Sequence, residues 1–195
     1  MTEAVVVPAR PRAASPSGWW GMVAFVATEA TLFGVLFGTY AYLRFRTVEW
    51  PPGGIPEPKV VLPLVIAGVL ASTSVPMALA WNAGKRGLAG RAWRMVFVAL
   101  VVQSVYFGIQ VHEMSSDLAR FTPQRNAYAS IYYTLLGAEH AHVAIGLLLN
   151  VWLVLKLARG LTRYRLVALR SIAFYWHAVN VLTALTTLCL VSAAL

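Results

Sequence analysis

Five apolar stretches, each about the length of a membrane crossing, fill most of this chain of 195 residues. A helix needs about 20 apolar residues to cross a hydrocarbon layer roughly 30 Å thick. The stretches at about 19 to 43, 60 to 81, 93 to 111, 128 to 157 and 166 to 194 reach that length. Lipid offers backbone N–H and C=O groups no partner, and the stretches are far too long for barrel strands, so each is expected to be α-helical. The expected fold is therefore all-α, a polytopic membrane protein whose five transmembrane helices form one bundle over residues 19–195. Composition agrees: 59% hydrophobic and 12% charged residues give a mean hydropathy of +0.67, remote from an ordinary soluble domain.

Residues 1–18 carry Pro8, Pro11 and Pro16 beside Arg10 and Arg12, a composition that does not pack by itself and reads as a surface tail. The apolar stretch after it exceeds the 7–15 residues of a signal h-region and has no small-residue cleavage site, so the first helix is expected to be retained. A net charge of +9 would suggest nucleic acid in a soluble protein, but here the basic residues fall in the loops. Eleven of the 16 lie in the tail, in the segment Lys85, Arg86, Arg91, Arg94, and in the segment Lys156, Arg159, Arg163, Arg165, Arg170. The other five are Arg44, Arg46, Lys59, Arg120 and Arg125. That bias predicts a cytoplasmic N-terminus and an external C-terminus, and it accounts for the charge with no nucleic-acid partner.

A charge at the bilayer centre costs about 2.5–3.5 kcal/mol on insertion scales, so ionisable groups inside the stretches mark where function resides. Glu29 lies about 15 Å along the first helix, near the midplane, between Trp19-Trp20 and the boundary set by Tyr40, Tyr42 and Arg44. Two readings stand: a neutral acid hydrogen-bonded to a neighbouring helix, or a proton relay or partner of a charged group. In the fourth helix Glu139 and His142 share a face while His140 projects elsewhere. In the fifth, His177, Asn180, Thr183 and Thr187 form a polar seam suited to interhelical hydrogen bonds. Gly34 and Gly38, with Thr31, and Gly137 and Ala141, with Ala144, are small-residue strips expected to pack closely against other helices. Pro63, Pro76 and Ser72-Thr73-Ser74 are assigned packing roles in the second helix, and Gln103, Ser104 and Tyr106 precede His112-Glu113 in the third. Glu139-x-x-His142 also has the spacing of a di-iron ligand pair, but that architecture needs the motif twice plus two further Glu residues, and one copy occurs.

Ordered blocks carry a family resemblance. Gly18-Trp19-Trp20-Gly21-Met22, Ala27-Thr28-Glu29-Ala30-Thr31-Leu32-Phe33 and Tyr40-Ala41-Tyr42-Leu43-Arg44 resemble the opening of the five-helix form of cytochrome c oxidase subunit III. Phe107-Gly108-Ile109-Gln110-Val111-His112-Glu113-Met114 resembles its F-L-G-x-Q-x-Y-E-W stretch. The segment from Tyr132 to Gly146 resembles F-x-L-T-G-F-H-G-L-H-V-x-I-G, and Phe174-Tyr175-Trp176-His177-Ala178-Val179-Asn180-Val181 resembles Y-W-H-F-V-D-V. The departures are that the family's first histidine falls on Glu139, its late aspartate on Asn180 and its following Trp on Thr183, which implies a divergent branch.

The resemblance implies an accessory subunit of a haem-copper oxidase in the bacterial plasma membrane, whose complex reduces oxygen and translocates protons. It implies subunits I and II as partners, haem and copper held by them, structural phospholipid on this chain, and cytochrome c or quinol as donor to the complex. Glu29, Glu139, His142, His177 and Asn180 become candidates for a proton relay or a buried polar network, with no catalytic residue and no metal ligand. The residue inventory points the same way: four histidines and the lone Cys189 fall short of the ligands that two haems and copper centres require. Three alternatives are a partner of a quinol oxidase or nitric oxide reductase, a small proton-coupled transporter, and a membrane metalloenzyme ligated through Glu139 and His142.

Overall fold

In the computed structural model, which describes residues 17–194, all five stretches are helical and no strand occurs among the described residues. Helix α1 covers Ser17–Arg46, and the second span is divided into α2 (Val61–Ser72) and α3 (Ser74–Lys85). Helices α4 (Ala89–Leu118), α5 (Ala127–Leu157) and α6 (Arg163–Val191) follow, and α6 ends in a 3₁₀ turn over Ser192–Ala194. Residues 1–16, most of the expected tail, lie outside the described residues. All five spans are long and apolar enough to cross a membrane, and the protein is a multi-pass membrane protein.

Helices α1, α3 and α4 run past their expected ends, most clearly α4, which at 30 residues is about 45 Å long. The apolar pattern stops near residue 111, but the helix continues through polar residues, and the hydroxyls of Ser115 and Ser116 donate back to the carbonyl of His112. The second span is interrupted at Thr73 for a local reason. Pro76 has no N–H for the carbonyl of Ser72 and its ring crowds that turn. The N–H of Thr73 donates instead to the carbonyl of Leu70 at 2.9 Å, as does its hydroxyl at 2.6 Å.

Helix α6 is central, packing on α1, α2, α3 and α5, whereas α1 lies at the edge against α5 and α6 alone. Helix α5 packs on both α4 and α6. Helices α1 and α6 run parallel, because both pairs of ends touch. The Arg170 guanidinium lies 3.8 Å from the centroid of the Trp19 ring at one end, and Arg44 donates to the carbonyl and hydroxyl of Ser192 at the other. On the Trp19 side Lys85 lies over Trp81 and Lys156 over Trp152, so three tryptophans sit at the membrane boundary, each under a basic side chain.

Among the described residues no neighbour packs closely at Gly34, Gly38 or Gly137. A Cβ added at Gly34, Gly38 or Gly137 would meet no described atom within 4 Å, and Ala141 is exposed. Helix α1 buries Phe33 and Tyr40, and Gly34 and Gly38 turn away from that face. The close approaches occur at Gly146, where a Cβ would lie 2.7 Å from the Trp176 ring, and at Gly84, where it would lie 2.8 Å from Leu169.

Candidate functional site

Helix α5 carries the site because it is the element that faces α1 on one side and α4 and α6 on another. Toward α1, Nε2 of His142 lies 2.6 Å from Oε2 of Glu29. The other ring nitrogen, Nδ1, lies 2.6 Å from the carbonyl of Ala138. A carbonyl only accepts, so Nδ1 bears a proton, and a single further proton is shared along the Nε2–Oε2 contact. Written as acid and imidazole or as carboxylate and imidazolium, the pair carries no net charge. That neutrality lets it stand inside the membrane with side-chain exposures of only 18% and 10% for Glu29 and His142. The edge of Phe33 closes over the imidazole, ring centroids 5.3 Å apart.

Toward α4 and α6, Glu139 is 2% exposed and accepts two hydrogen bonds, with an imidazole close by. The hydroxyls of Tyr106 and Thr183 donate to Oε1 at 2.8 and 3.0 Å. Nδ1 of His140 lies 3.1 Å from Oε2, its proton shared with the carbonyl of Leu136 at 2.7 Å. Gln110 in turn donates to the Tyr106 hydroxyl at 2.8 Å. Glu139 thus links α4 to α6.

A third group lies at the break in the second span. Gln103 donates to the Thr73 hydroxyl at 3.2 Å and accepts from Asn150 at 2.7 Å, while Asn180 donates to Ser74 at 2.7 Å. The hydroxyls around Pro76 therefore serve as more than packing.

The shared face of Glu139 and His142 does not make them partners. Glu139 turns to α4 and α6 and His142 to α1, so a difference of one turn assigns them to separate neighbours. His140, expected to project elsewhere, is the imidazole beside Glu139. Asn180 and Thr183 of the expected seam bond to different groups, and His177 and Thr187 make no side-chain hydrogen bond among the described residues. Sequence reasoning missed Gln110 and Asn150 and gave Tyr106 and Gln103 no role. The available signal was the presence of uncharged donors in lipid-length apolar helices, where each needs an internal partner. Among the described residues no three or more His, Cys, Asp and Glu side chains are disposed around a common metal position.

Residues 9–191 match the family model described as cytochrome c oxidase subunit III. The chain is 28% identical over 171 residues to the cytochrome bo(3) ubiquinol oxidase subunit 3 of Pseudomonas aeruginosa, covering 84% of this chain and 78% of that one. It is 31% identical over 169 residues to the cytochrome c oxidase subunit 3 of Synechocystis sp., covering 83% and 70%. It is 26% identical over 180 residues to the cytochrome c oxidase subunit 3 of Bacillus subtilis, covering 89% and 86%. With nearly its whole length accounted for in this way, the chain belongs to the cytochrome c oxidase subunit III family.

Proposed function

We propose that this chain, an accessory subunit of a haem-copper oxidase complex, performs no redox chemistry itself and holds a shareable proton at the membrane midplane through Glu29 and His142. The observation that carries the reading is the 2.6 Å contact between them, with the second imidazole nitrogen fixed on the Ala138 carbonyl. Such a pair can take up or pass on a proton at one oxygen while its neighbour rebalances the charge. It stands at the edge of the bundle, where α1 exposes Gly34, Gly38 and flanking apolar side chains. That strip fits a catalytic subunit or a structural phospholipid, since small residues let a partner approach closely.

Ligand availability supports haem and copper in partner subunits. Of the four histidines, His142 has both ring nitrogens engaged and His140 has one engaged. His112 and His177 stand on different helices. The donor to the complex, cytochrome c or quinol, belongs to those partners as well. The basic face, with its three Trp and cation pairs, is the cytoplasmic one by charge bias.

The test is Glu29→Gln in the intact complex. Glutamine can donate to Nε2 of His142 but cannot exchange a proton, so haem should copurify with the chain at wild-type ratio while oxygen consumption decays faster during turnover. Unchanged durability and proton uptake would reject the proton-holding role. Loss of assembly would show that the role is structural.

A further inference from the structure

Among α2, α4, α5 and α6, at the end of the bundle that carries the loops 47–60 and 119–126, lies a cavity of about 70 Å³. Its walls come from α2, α4, α5 and α6, and its lining runs from exposed charge to buried polarity. At the rim stand Glu57, Lys59 and Arg120, all exposed. Midway Glu113 and Asp117 are half-buried, Glu113 paired with Lys59 at 2.6 Å and Asp117 accepting from the Tyr132 hydroxyl at 2.7 Å. The floor is Glu139, about 18 Å along α5 from its first residue.

One atom on the wall has no protein explanation. Thr186 lines the cavity and is 2% exposed, yet its hydroxyl has no hydrogen-bond partner among the described residues. A buried hydroxyl without a partner costs about 1–3 kcal/mol, and a water held in the adjoining cavity supplies that partner. A lipid tail would instead leave the hydroxyl and the carboxylates facing hydrocarbon.

We infer that the cleft is a solvent well: a short column of water entering between loops 47–60 and 119–126, bonded by Thr186 and ending at Glu139. It gives Glu139 contact with the aqueous phase on the face opposite the tryptophan-rich boundary. The Glu29 and His142 pair, on the α1 side of α5, takes no part in it. The inference rests on this chain's own cleft, so it stands or falls separately from the role proposed for Glu29.

The test is thiol accessibility in membranes containing the assembled complex, with the native thiol removed by Cys189→Ala. Thr186→Cys puts a thiol in place of the hydroxyl at the wall and removes the γ-methyl, Glu139→Cys probes the floor, and Leu185→Cys, 47% exposed on the outer surface of α6, is the dry control. Iodoacetamide reacts with the thiolate, which forms in water and is suppressed in apolar surroundings, so a hydrated Thr186→Cys should be alkylated at least about tenfold faster than Leu185→Cys. The readout is the mass of this chain, taken from complex that retains its haem. Glu139→Cys, where it assembles, should react at a rate close to that of Thr186→Cys. Equal rates at 186 and 185 would overturn the well, and so would an assembled Glu139→Cys that does not react.

Discussion

At the scale of single residues, the decisive feature is how each buried ionisable group is neutralised. Glu29 was legible as a buried acid from its position alone, ten residues into an apolar helix. Its partner was not, because helical spacing places Glu139 and His142 on one face and says nothing of which neighbour each meets. The contact between Glu29 and His142 spans 113 positions of sequence, and only packing of α1 against α5 creates it. A double-mutant cycle measures the consequence. Glu29→Leu or His142→Leu alone leaves a buried polar partner and should cost about 1–3 kcal/mol of complex stability. The double change should cost less than the sum of the two, as replacing a whole buried pair does. Glu139→Leu with His142→Leu should come much closer to additivity, since those two side chains share no partner. Thermal dissociation of the complex reads both cycles, and strong coupling between residues 139 and 142 would contradict the assignment.

At the scale of elements, the lengths of the apolar runs located all five spans and left two kinds of detail open. Ends were too short because α4 continues through residues whose hydroxyls bond their own backbone. The small-residue positions Gly34, Gly38 and Gly137 have the composition of a packing motif and no close neighbour among this chain's described residues. Gly146 does have the neighbour. Gly146→Ala would drive a methyl into the Trp176 ring and should destabilise the α5 and α6 contact by about 1–3 kcal/mol, as overpacking generally does. Gly137→Ala, with nothing near its Cβ, should stay within about 0.5 kcal/mol of wild type. The temperature at which this chain dissociates from solubilised complex compares the two; equal effects would contradict the packing described. Pro76 was read only as a packing residue of one continuous helix, and the interruption it causes at Thr73 was not anticipated. The break at Thr73 frees a hydroxyl for Gln103, a consequence of which helices lie alongside.

At the scale of the whole molecule, the chain builds polar groups inward and leaves small and apolar groups outward. Hydrogen bonds at Glu139, Thr73 and Gln103 join helices to one another, while α1 presents an apolar strip to whatever surrounds it. That division suits a subunit that is held in a larger assembly. Membership of the family was legible in the ordered blocks; the placement of the strip needed the packed helices. The most direct measurement is haem and copper content before and after this chain is stripped from the tagged, intact complex with detergent. The account predicts that both remain with the partner subunits in full stoichiometry and that the released chain has no visible absorbance. Haem or copper retained by the released chain would contradict it.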